Sequence, residues 1–138
     1  MAGDSGSGCV ASLGFALQLL GGRFESGAEI VARLIGLDAA LAGADWAITG
    51  EGRSDVQTLL RKAPFVVSEN ARARGVPVTL LAGAVDASAL GELGRAFDGC
   101  FALPAGPASL ADCIAQADRL LADRAEQIAR VFHAARYR

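Results

Sequence analysis

The chain has 138 residues, 52% of them hydrophobic and 20% charged, with a net charge of −2. That length suits one domain, spanning residues 1–138, able to bury about two-thirds of its unfolded surface. A near-neutral charge, with one Trp, one Tyr and six Phe, leaves neither the basic footprint nor the stacking platforms of a nucleic-acid binder.

No apolar run is long enough to span a bilayer, and the N-terminus lacks the charged and apolar regions of a signal peptide. The expectation is a cytoplasmic protein without membrane or nucleic-acid partners. Cys9, Cys100 and Cys113 are odd in number and widely spaced, which argues against a disulfide framework and against zinc. Cys100 and Cys113 lie in apolar settings and read as small buried hydrophobes.

In chain order, a small polar opening (Ala2 to Gly8) precedes an almost wholly apolar run from Val10 to Leu20. That run predicts a buried helix ending at Gly21-Gly22. Gly27 to Ile35 predicts a second helix, with Ile30, Val31, Leu34 and Ile35 on its apolar face. Leu37 to Leu41 is one further turn, stopped near Gly43. From Asp45 the pattern alternates. Trp46–Thr49 reads as strand, Val66–Arg74 as helix, Val78–Ala82 as strand, Ser88–Phe97 as helix and Gly99–Leu103 as strand. Pro104 to Pro107 is a turn. A long last helix begins at Ser109, with Asp112 as its capping-box partner. Its apolar face runs Leu110, Ile114, Ala117, Leu121, Ala125, Ile128, Phe132. The arginines of this region (Arg119, Arg124, Arg130, Arg136, Arg138) are interleaved with Asp118, Asp123 and Glu126, as on a solvated helix face. Strands separated by helix-length segments predict an α/β fold, with a Rossmann-like parallel sheet of short strands flanked by helices.

The strand at Trp46 leads straight into Gly50-Glu51-Gly52-Arg53-Ser54-Asp55-Val56-Gln57-Thr58. Ligands of parallel sheets bind at the strand ends. Phosphoryl transfer needs a base, carboxylates for magnesium, cations facing phosphate and glycines permitting close approach; Gly50 to Lys62 supplies all four. Gly50 and Gly52 are read as letting the backbone turn sharply and offer N–H groups to an anion. Arg53 can grip a carboxylate or phosphate through its fork. Asp55 and Glu51 are the candidates for general base and metal ligand, in either order. Lys62, before the helix introduced by Pro64, is read as a phosphate contact or as a solvated cation. Ser54 and Gln57 have capping-box spacing, so Gln57 either ties down a helix start or contributes to the site.

Through Leu59-Leu60-Arg61-Lys62-Ala63-Pro64, this segment resembles the TGEGR-x-D-x-Q-[ST]-x-x-G-K-x-P signature of the type 1 glycerate kinases. Gly8 to Leu17 is similar to that family's GSGAAGGLGFAL segment, with Ala11-Ser12 in place of paired glycines. Phe24 to Val31 resembles the stretch leading to its PGIE-like helix start. Gly75 to Gly83 resembles its next strand, and Phe101 to Leu110 its F-x-L-x-x-GP-x-SL turn. The departures are Arg61 where the family has glycine, Val56 where it has a small or polar residue, and Ser54 where it has an apolar one. The family's N-terminal half, with its PDSFKGS-type segment, has no counterpart here.

The resemblance implies a partial version of a two-domain glycerate kinase fold. The implied activity is ATP- and Mg²⁺-dependent phosphorylation of glycerate in a cleft of which this chain carries one wall. Asp55, Glu51 and Arg53 would be catalytic, Asp55 and Glu51 metal-binding, and Gly50, Gly52, Gln57 and Lys62 substrate-binding. The implied partners are glycerate, ATP, and either further copies of the chain or a complementary chain supplying the missing half. Two alternatives stand beside it: an inactive remnant that binds a small anion or a partner chain, and an α/β domain without a ligand.

Overall fold

A computed structural model describes the backbone of residues 8–137 and the side chains from Leu13 onward. The small polar opening lies outside the described residues, and so does the side chain of Cys9. Three strands, β1 (Ala47–Ser54), β2 (Val78–Val85) and β3 (Gly99–Ala102), form a sheet in the order β1-β2-β3. Both pairings are parallel, as the helix-length connections require. Trp46 itself lies just outside β1. The sheet is flanked by α1 (Gly8–Leu19), α2 (Gly27–Leu34), α3 (Leu37–Leu41), α4 (Ala63–Arg72), α5 (Leu90–Ala96), α6 (Leu110–Ala115) and α7 (Ala117–Tyr137).

β2 is the central strand, and Val78 to Ala82 are all buried. This is the pattern of a parallel strand covered on both faces. The core gathers Val78 and Leu80 with Leu41, Ala71, Val76, Ala89, Leu93 and Phe97. At the start of the helix before β2, Pro64 occupies the first turn, where its missing N–H costs nothing. Helix α4 therefore begins at Ala63 rather than Val66. Gly75, at φ +71°, ends that segment in the left-handed conformation expected after a helix.

Both β1 and β2 run further than their apolar stretches. β1 continues five residues past Thr49, and the register with β2 holds through Arg53↔Ala84 and Ser54↔Val85. Contrary to the expectation from sequence, Gly50 and Gly52 do not turn the chain; they lie within the strand. The reason at Gly50 and at Gly83 is crowding, whereas a side chain on Gly52 would meet open space. A Cβ on Gly50 would collide with the Leu81 carbonyl oxygen, and one on Gly83 would sit 2.5 Å from the Gly52 carbonyl oxygen. Glycines let the two backbones come this close.

The helices depart from expectation in burial more than in position. Among its described side chains, α1 is not a buried helix: Leu13, Phe15, Leu17 and Leu19 are exposed. On α2, Ile30 is half-buried while Val31 and Leu34 face solvent, as does Ile35 beyond the helix end. The expected helix over Ser88–Phe97 opens with a 3₁₀ turn, Ala87–Ala89, capped by Asp86. The long last helix is two helices, broken at Gln116. The Ser109 hydroxyl does accept the Asp112 N–H at 3.1 Å, as the capping spacing predicts.

None of the expected apolar face from Leu110 to Phe132 is fully buried, and Leu110, Ile114 and Leu121 are exposed. Helix α7 is tied to the sheet by a few specific contacts. Phe132 stacks on Trp46 with ring centroids 4.6 Å apart, Arg124 donates to the Leu103 and Pro104 carbonyls, and Arg136 meets the Asp45 carboxylate at 2.5 Å. Arg119–Asp123 and Arg130–Glu126 are the i,i+4 pairs of a solvated face. Cys100 and Cys113 are half-buried, and burial raises the Cys100 thiol pKa. No helix among the described residues is long and apolar enough to cross a membrane.

Candidate active site

Glu51 and Arg53 project from the C-terminal end of β1, where parallel sheets place their ligands. The chain then enters a 3₁₀ turn, Val56–Leu59, and reaches α4 through Leu60 to Lys62. The turn is capped by Asp55, not Ser54. The Asp55 carboxylate accepts the Gln57 N–H at 2.7 Å, and the Thr58 hydroxyl oxygen accepts the Asp55 N–H at 3.1 Å. The reciprocal box is thus Asp55 with Thr58, one residue later than the Ser54/Gln57 spacing suggests. Gln57 contributes its backbone to that cap, and its side chain is exposed.

Ser54 is freed for another task. Its hydroxyl donates to Glu51 Oε1 at 2.9 Å, and Thr58 donates to the same oxygen at 2.5 Å. Both hydroxyl residues are fully buried, and the Glu51 side chain is only 16% exposed. Glu51 Oε2 faces Lys62 Nζ at 3.9 Å. Lys62 is the N-cap of α4, a helix start with no side-chain cap and no acidic residue in its first turn. Arg53 is largely exposed, and its guanidinium stands 3.8 Å from Asp86 Oδ2.

The structure thus brings Glu51, Lys62, Asp55 and Arg53 to one edge of the sheet, with Ser54 and Thr58 beneath them. Thr58 and Asp86 had no role assigned from sequence, and Ser54 had one only as a helix cap. Ser54 and Thr58 support Glu51, and the signature itself reserves a Ser or Thr at position 58. Asp86 follows β2 directly, and its N–H donates to the Ser54 carbonyl at 2.9 Å. Hydrogen bonds from the Ser88 hydroxyl and N–H hold the Asp86 carboxyl below its ordinary pKa, with a lesser contribution from Arg53. Reading the end of β2 as the end of β1 was read would have found it.

A cleft of about 320 Å³ opens beside Glu51, lined by Ile48, Thr49, Gly50, Leu81, Leu103 and Leu121. A larger hollow of about 580 Å³ lies between α4 and α5, but it contains none of the strand-end residues. Chemistry rather than volume therefore selects the site.

Magnesium takes oxygen ligands, commonly one or two carboxylates completed by substrate phosphates. Glu51 and Asp55 fit that demand, each with one carboxylate oxygen not engaged in the hydrogen bonds above. Among the described residues no group of three or more His, Cys, Asp or Glu side chains is placed to hold a metal alone. Arg53 and Lys62 are cations suited to phosphate or carboxylate.

A three-stranded parallel sheet flanked by helices, with charged groups at its strand ends, defines an α/β protein, and comparison with known proteins gives that class its family. The profile of the glycerate kinase family matches residues 1–133. A glycerate kinase from Bacillus cereus is 33% identical over 128 residues, covering 92% of this chain and 34% of that protein. A glycerate 2-kinase from Escherichia coli is 36% identical over 81 residues, covering 58% of this chain and 21% of that protein. A solved structure from Salmonella typhimurium LT2, assigned to glycerate kinase 2, superimposes with a TM-score of 0.62 at 32% identity. It covers 83% of this chain and 29% of that one. The chain belongs to the glycerate kinase family. It spans about a third of the length of the first curated relative it matches, and its three-stranded sheet is a small part of the family fold.

Proposed function

We propose that this chain forms one wall of a site that transfers the γ-phosphoryl group of ATP to a hydroxyl of glycerate. The observation that carries this reading is the cluster at the end of β1, where Glu51, Arg53, Asp55 and Lys62 stand together on a scaffold of the glycerate kinase family. Arg53 grips the glycerate carboxylate through two parallel hydrogen bonds. Asp55 takes the hydroxyl proton as the new O–P bond forms and the bond to the departing ADP breaks. Lys62 and the uncapped start of α4 face the phosphates. Glu51 Oε2 and a free Asp55 oxygen would hold Mg²⁺, which supplies neutralisation of phosphate charge. Gly50 keeps β1 and β2 close enough to support this edge, Gly52 leaves open space between Glu51 and Arg53, and Gln57 completes its cap. The name of the Escherichia coli protein, a glycerate 2-kinase, favours the 2-hydroxyl as acceptor, giving 2-phosphoglycerate.

One wall cannot align two substrates or exclude water, and lost alignment forfeits much of the rate advantage. The remaining wall must come from polypeptide outside these residues, whether joined to them, a separate chain or another copy. The apolar side chains of α1 and α2 left exposed, Leu13, Phe15, Leu17, Val31 and Leu34 among them, support such an association. A coupled ADP-release assay tests the proposal on the chain alone and mixed with the N-terminal two-thirds of the Bacillus cereus enzyme. Trace glycerate-dependent turnover alone and a clear gain in the mixture is the expected result. No glycerate-dependent ADP in either sample would reject it in favour of a remnant that only binds anions.

A further inference from the structure

The Glu51 side chain is mostly withdrawn from solvent, and its two oxygens have different surroundings. Oε1 takes hydrogen bonds from two fully buried hydroxyls, Ser54 at 2.9 Å and Thr58 at 2.5 Å. Oε2 is left toward Lys62. A buried hydroxyl left without an acceptor is destabilising. Two of them converging on one oxygen therefore fix the carboxylate's rotation, rather than merely satisfying themselves.

Thr58 does more than Ser54. Its oxygen donates to Glu51 and simultaneously accepts the Asp55 backbone N–H at 3.1 Å. A single buried atom thereby sets the separation between the residue that presents Oε2 to the ligand and the residue that begins the capped turn. An apolar residue could fill the same buried volume but could link neither group.

We propose that Thr58 is a positioning residue of the phosphoryl-transfer site, holding Glu51 and Asp55 in register through one hydroxyl, with Ser54 as the second prop under Glu51. This role rests on the kinase reading above. It acts on the geometry of the reacting groups and not on capture of glycerate, which belongs to Arg53. Removing the hydroxyl should lower kcat and leave the KM for glycerate nearly unchanged.

The test compares Thr58→Val, which keeps the shape, with Thr58→Ser, which keeps the hydroxyl. Turnover is measured in the mixture with the complementary fragment, and the Glu51 carboxyl ¹³C and Asp55 amide ¹⁵N resonances are recorded on this chain. In Thr58→Val both resonances should move and kcat should fall about tenfold to a hundredfold, with KM for glycerate within about twofold. Thr58→Ser should restore both readouts. If Thr58→Val does not fold, Ser54→Ala carries the test through a smaller drop in kcat and a shift of the Glu51 resonance alone. Resonances that move while kcat stays constant would overturn the positioning role and leave the kinase reading intact. Resonances that stay in place would show that the contact itself is absent in solution. A wild-type mixture without glycerate-dependent turnover would bring down the kinase reading, and the positioning role with it.

Discussion

Arg61 reaches across to the carboxylate of Glu29 from a backbone in the left-handed region, at φ +57°. The contact joins the segment after the 3₁₀ turn to helix α2, and the Ser26 hydroxyl adds a long 3.4 Å bond to the Arg61 carbonyl. Among the described residues Arg61 is the only non-glycine with positive φ. The family's signature has glycine here, and the torsion explains why: a side chain in this region costs about 1 kcal/mol. An exposed ion pair returns a similar or smaller amount.

Comparing Arg61→Gly with Arg61→Ala isolates the torsion, because both lose the ion pair. The glycine variant should be the more stable by about 1 kcal/mol in urea unfolding. Equal midpoints would mean that the left-handed conformation is not held in solution.

The two signature glycines should respond differently to a methyl group. Gly50→Ala drives a Cβ into the Leu81 carbonyl and should destabilise by about 3 kcal/mol. Gly52→Ala meets nothing within 4 Å and should be neutral or stabilising by about 0.5 kcal/mol. Chemical denaturation checks both. Equal losses would contradict the close approach of β1 to β2.

Arg53→Lys keeps the charge and removes the fork. Glycerate or phosphate affinity, followed by titration calorimetry, should fall by about 1–3 kcal/mol. Unchanged affinity would remove Arg53 from the anion-binding role and leave its contact with Asp86 as its sole function.

Asp86 carries a pH signature. Its carboxyl is held below the ordinary aspartate value of about 3.9 by the Ser88 hydrogen bonds. A depressed folded-state pKa contributes stability that is complete above the unfolded value and lost as pH falls through the folded one. The wild type should therefore lose stability on acidification below about pH 4 more steeply than Asp86→Asn, as followed by thermal unfolding at several pH values. Parallel profiles would mean that the Ser88 cap is not formed.

The three strands, their parallel pairing and the charged segment that follows the first of them were legible because they follow from short-range signals. Apolar runs bounded by glycine and proline mark buried strands, and clustered charges beyond such a run mark an edge. What was not legible depended on partners distant in sequence. Gly50 looked like a turn residue because the reason for its missing side chain is the Leu81 carbonyl, thirty-one positions along. Helix α1 looked buried because its composition is apolar, yet composition cannot say what covers a surface. Ser54 looked like a helix cap by spacing, and only the path of β1 shows its hydroxyl taken by Glu51.

Because β1 stays paired with β2 as far as Ser54, Glu51 and Arg53 are written into a ladder and not into a connecting loop. A loop can lengthen or shorten as a protein diverges, moving its side chains by degrees. A strand has no such latitude: one residue inserted between Gly50 and Ser54 would reverse the face of every side chain after it or force a bulge. Variation in what this edge accepts must therefore proceed by replacement at fixed positions, or by change in whatever polypeptide closes over it.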